Sequence, residues 1–201
     1  MGRRRLWTGA PPGRNPFALP RGLRGRLAGR IMARANRACN AELLAWLDVR
    51  AGTHVLEVGC GPGVLVELLT RRPDVRVTAV DPSAEMVAMA QRRNARAVRR
   101  GRVHIHPGDA AATGVDDGRV DLAISVNTVA MWPRLDDGMA ELHRVLRSGG
   151  RAVIAWHRRP ARFALAGEEL SAVEAALANR FGNAERTILR GSVVFSAVKC
   201  G

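Results

Sequence analysis

Hydrophobic positions change their spacing twice along the chain. Over the first twenty residues they keep no period, because Pro11, Pro12, Gly13, Pro16 and Pro20 interrupt a stretch that also carries Arg3, Arg4 and Arg5. The segment 1–20 therefore reads as an irregular basic arm. Beyond Pro20, Leu23, Leu27, Ile31 and Ala35 recur every fourth residue, with Arg24, Arg26, Arg30, Arg34 and Arg37 mostly on the other faces. That is the pattern of an amphipathic helix, weakened by Gly22, Gly25 and Gly29. A second helical stretch, Asn40 to Leu47, supplies Leu43, Leu44 and Leu47 before Arg50-Ala51-Gly52 turns the chain, so 21–50 is an N-terminal helical segment.

After residue 51 short apolar runs alternate with longer amphipathic ones, the rhythm of parallel strands joined by crossover helices. Strands are expected at His54 to Val58, Arg76 to Asp81, Val103 to Pro107, Asp121 to Asn127 and Arg151 to His157. Helices are expected near Val64 to Arg71, Ala84 to Ala97 and Asp136 to Leu146, the last stopped by Ser148-Gly149-Gly150. A loop at Arg158 to Arg162 leads to a helix at Gly167 to Arg180. Thr187 to Leu189 and Val193 to Lys199 then close the chain as an antiparallel pair about Arg190-Gly191-Ser192. The fold class is α/β: residues 51–201 form a doubly wound, mostly parallel seven-stranded sheet with an antiparallel C-terminal hairpin strand.

Length and composition fit this picture. The 201 residues make one domain with a short extension, and 47% hydrophobic with 25% charged residues is the globular average. The longest apolar stretch, Val120 to Met131, is too short to cross a bilayer, which needs about 20 residues. Three cysteines, Cys39, Cys60 and Cys200, are odd in number and far apart, which argues for a reducing cytoplasm, and no apolar run follows the first arginines as in a signal peptide.

Charge adds a question. The net charge of +14 comes from 31 arginines against one lysine, and positions 1–50 hold eleven arginines against Glu42 and Asp48. Residues 3 to 37 can serve as an RNA-binding tract, as a helix on an anionic membrane surface, or as a solvated arm and lid. The solvated arm is preferred. Only Trp7 and Phe17 offer stacking rings for RNA, and Leu23, Leu27 and Ile31 make a narrow stripe for lipid.

The chemistry starts at Val55-Leu56-Glu57-Val58-Gly59-Cys60-Gly61-Pro62-Gly63, a glycine-rich turn between a buried strand and a helix. Glycines let backbone approach a ligand at the carboxyl edge of the sheet. Asp81, 22 residues past Gly59 at the end of the next strand, can accept hydrogen bonds from both hydroxyls of a ribose. A dinucleotide fingerprint would place its third glycine at position 64, which is Val64. Glu57 would also repel a pyrophosphate. A ligand carrying positive charge fits better, and S-adenosylmethionine has both a sulfonium and an α-amino group.

With these residues the stretch from Arg50 to Gly201 resembles the class I S-adenosylmethionine-dependent methyltransferases, in particular the small-molecule group that includes quinone-biosynthesis enzymes. The resemblance implies that Gly59, Cys60, Gly61 and Gly63 line the methionine part of the cofactor and that Glu57 organises the loop. Thr78 to Met86 is similar to the second motif, giving Asp81 to the ribose and Pro82 or Met86 to the adenine face. Pro107-Gly108-Asp109-Ala110 is similar to the adenine-edge motif, with Asp109 near the exocyclic amine and Ala110 beside it. The run Asp121 to Asn127, with Ser125 on the cofactor side, then Met131-Trp132-Pro133 and Glu141 to Gly150 complete the order.

The implied reaction is in-line methyl transfer to a small, apolar or aromatic acceptor, with no metal. His157, at the end of the fifth parallel strand, is the candidate base, set against a solvent-facing histidine at a strand exit. Asn127 is the candidate for orienting the acceptor. Met131 and Trp132 are candidates for contacting it, and packing of Trp132 is an equal expectation. His104 and His106 share a strand face without a third ligand, and His143 reads as packing. The Asn- or Asp-Pro-Pro-aromatic block of DNA-base amino-methyltransferases is absent, since Thr128-Val129 follows Asn127. The segment after the fifth strand is short, so enclosure of the substrate falls to residues 15–48. Two other functions stay open: an RNA-modifying or RNA-binding protein using the arginine arm, and a silent partner that binds the cofactor for stability.

Overall fold

The computed structural model of the protein describes residues 22–158 and 164–201; for 22–32 and 35 it describes the backbone alone. The expected basic arm, the Leu23-Leu27-Ile31-Ala35 stripe and most of the loop after Arg158 lie outside the described residues or side chains. In chain order the elements are α1 (Gly22–Leu47), β1 (His54–Val58), α2 (Val64–Leu69), β2 (Arg76–Asp81), α3 (Ala84–Arg93), α4 (Ala95–Arg99), β3 (Val103–Pro107), β4 (Val120–Val126), α5 (Leu135–Val145), β5 (Leu146–His157), α6 (Gly167–Phe181), β6 (Glu185–Ile188) and β7 (Ser192–Val198), with a 3-10 turn at Val129–Met131.

The seven strands lie in the order β3-β2-β1-β4-β5-β7-β6. β1 to β5 run parallel, while β7 pairs antiparallel with both β5 and β6. The strand order reverses between β1 and β4, and the crevice beyond the carboxyl ends of such a pair is where open α/β sheets bind ligands.

Alternation along the strands gives the sheet two apolar faces. Val55, Val77, Ala79, Leu122, Ile124 and Val153 pack under Leu43, Leu44 and Leu47 of α1, Leu65 and Leu69 of α2 and Ala90 of α3. Leu56, Val58, Val80, Ala123 and Ile154 face Met139, Leu142 and Val145 of α5 and Val173 and Leu177 of α6. Strands buried on both faces read as continuous apolar runs, which is why β1, β2 and β4 stand out in the sequence.

Three expectations are corrected. The two N-terminal helical stretches are one helix, α1; no proline falls between residues 22 and 47, and Leu43, Leu44 and Leu47 anchor its end in the core. The stretch Ala84 to Ala97 is two helices, because the Asn94 amide turns back to donate to the carbonyls of Gly63 (3.1 Å) and Ala90 (2.9 Å). Ser148-Gly149-Gly150 does not cap α5, which ends at Val145. Those residues belong to β5, where the register jumps from Val120–Leu146 to Leu122–Arg151 and Gly149 and Gly150 exchange hydrogen bonds with Lys199.

Candidate active site

A cavity of about 330 Å³ opens where β1, β2 and β4 end, within the roughly 300–1,000 Å³ of small-molecule sites. Glu57, Gly59, Cys60, Gly61, Asp81, Pro82, Met86, Asp109, Ala110, Asn127, Met131 and Trp132 all line it. Sequence separations of up to 75 residues are thereby brought to one place.

The glycine turn is built by Asp81. One carboxylate oxygen accepts the backbone N–H of Gly61 (2.8 Å) and the other that of Ser83 (2.9 Å), so β2 holds the loop after β1 in register. Burial raises the Asp81 carboxyl above its usual range, while these two N–H groups pull it back. Gly61 sits at φ +50 with nothing within 4 Å of the place a Cβ would take, and it lines the cavity: backbone, not side chain, faces the ligand here. Asp109 folds its own loop, accepting from the N–H groups of Ala111 (2.8 Å) and Ala112 (3.0 Å).

Glu57 is 3% exposed and one of its oxygens has no partner. Its carboxyl is pushed well up, first by burial and then by the charge of Asp81, against the pull of the Val66 N–H. Cys60 also lines the cavity, but burial followed by the charges of Glu57 and Asp81 pushes its thiol up, so it is not an activated nucleophile.

Three expected residues do not line the cavity. Gly63, at φ +75, is hemmed in by Ala90 and Asn94 of α3; its lack of a side chain lets α2 start against α3. Ser125 is fully buried, and its hydroxyl lies 2.5 Å from that of Thr128. Thr128 in turn takes the indole N–H of Trp132 (3.2 Å), and its methyl fills the space a side chain at Gly59 would need. Ser125 thus holds the turn rather than the ligand. Trp132 is 3% exposed with its ring seated against Gly138, so it is a packed wall of the cavity more than a free stacking platform.

His157 is the third, and its expected role changes with its place. It is 8% exposed, and burial lowers its imidazole from 6.5 to about 4, with a small opposing effect of Glu42. Its backbone N–H donates to Asn127 Oδ1 (2.7 Å), and Asn127 Nδ2 lies 2.7 Å from its Nδ1. As the Asn127 amide nitrogen can only donate, Nδ1 is the acceptor and the ring is neutral. His157, expected as a base, lies behind Asn127 and outside the cavity lining, where it bonds Asn127 on both sides of the amide. It locks Asn127, a non-glycine residue at φ +59, with its amide at the cavity.

Sequence reasoning missed Thr128 and, though it expected residues 15–48 to enclose the substrate, named none of Ala33, Asn36 and Asn40 of α1, which also line the cavity. Asn36 and Asn40 do carry a signal, since residues four apart share a helix face. The helix is held in place by Glu42, which accepts the N–H groups of Arg190 (3.0 Å) and Gly191 (2.9 Å) in the β6–β7 turn. Among the described residues there is no group of three side chains able to hold a metal ion, and no helix is long and apolar enough to cross a membrane.

A family model for a methyltransferase domain matches residues 55–150. The chain is 32% identical over 136 residues to the uncharacterised methyltransferase YdaC of Bacillus subtilis, covering 67% of this chain and 73% of that protein. The chain belongs to the class I S-adenosylmethionine-dependent methyltransferases. A second relative, the ubiquinone/menaquinone biosynthesis C-methyltransferase UbiE of Rubrivivax gelatinosus, is 34% identical over 119 residues, 55% of this chain and 44% of its own. This methyltransferase chain spans about half the length of most of the curated relatives it matches. Its fold is shared with a SAM-dependent methyltransferase from Aquifex aeolicus, at a TM-score of 0.65 and 18% identity over 79% of this chain and 88% of the other. The family's cofactor, S-adenosylmethionine, fits the residues present: the side-chain-free face of Gly61 leaves room for it, and the acids Glu57, Asp81 and Asp109 suit a cationic nucleoside.

Proposed function

We propose that the protein methylates a small, apolar or aromatic acceptor, and that the cavity divides into a cofactor wall and an acceptor wall. The observation that carries the reading is the lining itself, which joins the backbone and carboxylates of Gly61, Asp81 and Asp109 with the apolar Val126, Met131, Trp132 and Ala33 and the Asn127 amide. When bound, S-adenosylmethionine supplies a methyl group on a sulfonium. Asp81 has a free lone pair on each oxygen for the ribose hydroxyls, since the loop N–H groups use one apiece. Asp109, with one oxygen taken by its own turn, would hold the adenine edge with the other, and Met86 and Pro82 would pack the ring.

On the other wall Asn127 keeps one N–H and one lone pair beyond those engaged with His157, enough to orient a hydroxyl or carbonyl of the acceptor. Among the described residues the lining holds no histidine or lysine to take a proton, and its carboxylates are assigned to the cofactor wall. Acceleration then comes from holding acceptor and methyl in line, which can lower a barrier by roughly 7–11 kcal/mol. α1 closes the cavity from above through Ala33, Asn36 and Asn40, the part of the N-terminal segment that encloses the substrate.

Incubating the nucleic-acid-free protein with methyl-labelled S-adenosylmethionine and extract of its source cells tests the acceptor class. Label is expected in solvent-extractable small molecules. Label in acid-precipitable polymer released by ribonuclease would overturn this reading and make the arginine-rich arm a substrate-binding element.

A further inference from the structure

The helices on the two faces of the sheet carry opposite charge. α1 to α4, whose Leu43, Leu65, Ala90 and Ala97 pack on one face, hold nine arginines against Glu42, Glu67 and Glu85. α5 and α6, whose Leu142 and Leu177 pack on the other, hold Arg144 and Arg180 against Asp136, Asp137, Glu141, Glu168, Glu169 and Glu174. An arginine bias of the whole sequence would load both faces alike.

On the basic face the excess is also left open at one place. Arg76 at the start of β2, Arg92 near the end of α3, Arg96 and Arg99 of α4 and Arg100 just after it are exposed, and among the described residues their side chains make no ion pair or hydrogen bond. Arg92, Arg96 and Arg100 recur at every fourth position, with the buried Asn94 and Ala97 between them. The Val77 N–H donates to the Arg102 carbonyl (2.9 Å), which brings the turn after α4 beside Arg76. On the acidic face the charges are largely spent within the chain: Asp137 pairs with Arg134, Glu141 with Arg144 and Glu174 with Arg186.

We propose that the α3–α4 surface, together with Arg76, binds the phosphate backbone of a double-stranded nucleic acid without regard to its base sequence. Guanidinium groups left free of carboxylates are strong donors to phosphate oxygens, and contacts to phosphates fix position while carrying no sequence information. A single strand is held by stacking its bases on aromatic side chains, and residues 71–102 contain no Phe, Trp or Tyr. A lipid surface is held by apolar side chains as well as by charge. The exposed large hydrophobic residues among those described, Ile188 and Val198, lie on β6 and β7, at the far end of the strand order from β3 and α4. A second copy of the chain would bring a net charge of +14 to a surface of the same sign.

The cavity opens at the carboxyl ends of the strands, whereas Arg76 and Arg100 lie at their amino ends. A duplex held there is a partner of the protein and not its methyl acceptor.

Two variants of equal net charge test the proposal on the full chain. One carries Arg92→Gln, Arg96→Gln, Arg99→Gln and Arg100→Gln; the other carries Arg119→Gln, Arg158→Gln, Arg180→Gln and Arg190→Gln, exposed arginines outside this surface. Fluorescence anisotropy reads binding to a labelled duplex DNA of mixed sequence, to the duplex RNA of the same sequence and to the DNA single strand, between about 50 and 200 mM salt. Wild type is expected to bind both duplexes alike and more tightly than the single strand. The first variant should lose about tenfold or more in duplex affinity at low salt, with a shallower salt dependence, and the second should lose much less. The pair Arg99→Gln and Arg100→Gln stands in should circular dichroism show the first variant unfolded. Equal losses in the two variants would mean attraction to net charge alone and overturn the proposal. So would absence of duplex binding, a single strand bound more tightly than the duplex, a preference of more than about tenfold for one duplex over the other, or tighter binding to phosphatidylserine vesicles in co-sedimentation.

Discussion

The two walls proposed for the cavity are made differently. The cofactor wall is local: a five-residue turn after β1 is tied by the Gly61 N–H to Asp81 at the end of the neighbouring strand. Its shape comes largely from main chain, held by Asp81 and by the close fit of Gly63 against α3. The wall facing the acceptor is long-range. Asn127 follows β4, His157 ends β5, Trp132 follows a 3-10 turn, and Asn36 comes from a helix held by the far hairpin. A wall of backbone suits a ligand that never changes, and a wall of side chains from separate elements can be varied with the acceptor.

Substitution at Gly63 strikes hardest, because the cofactor wall depends on how α2 packs. Gly63→Ala places a Cβ 2.8 Å from that of Ala90 at a φ of +75. A loss of roughly 3 kcal/mol of stability is expected from overpacking and backbone strain together, read by urea denaturation; an unchanged midpoint would show that the turn is looser than described. Asn127→Gly comes next. Glycine keeps the φ of +59 and removes the amide, so turnover should fall about 100-fold, the scale of a small misplacement of the acceptor, with S-adenosylhomocysteine affinity unchanged. Equal loss of both would erase the distinction between the walls. Asp81→Ala should do the reverse in kind, weakening S-adenosylhomocysteine by about 2 kcal/mol in calorimetry.

The smallest effect lies in the acid limb of stability. His157 is held neutral, at about 4 against 6.5 unfolded, so below 6.5 the unfolded chain takes up the proton first and stability falls until about pH 4. By pH 5 the loss is about 2 kcal/mol. Glu57, whose carboxyl is raised, works in the opposite direction, and His143, lowered by burial, in the same one. Both are present in His157→Gln, so the difference between the two proteins' pH profiles isolates His157. Parallel profiles would show that His157 is solvated.

Legibility in the sequence follows the same division. β1, β2 and β3 fall on the residues expected of them: β1 and β2, inside the sheet, are apolar runs, and β3, at its edge, alternates buried and exposed positions. Asp81 was legible because the turn and the acid belong to one βαβ unit. The break at Asn94 was not, since it depends on a hydrogen bond to Gly63, 31 residues away. Nor could His157 be told from a base: a histidine at a strand end looks the same in sequence whether it faces the ligand or stands behind an asparagine. Ser125 was misplaced for the same reason, its partner Thr128 having no pattern of its own.

The most direct measurement is a crystal structure of the protein with S-adenosylhomocysteine bound. The ribose hydroxyls are expected within hydrogen-bond distance of the Asp81 carboxylate, with the sulfur directed towards Asn127 and Met131. A ligand lying elsewhere, or a ribose turned away from Asp81, would contradict the division of the cavity into a cofactor wall and an acceptor wall.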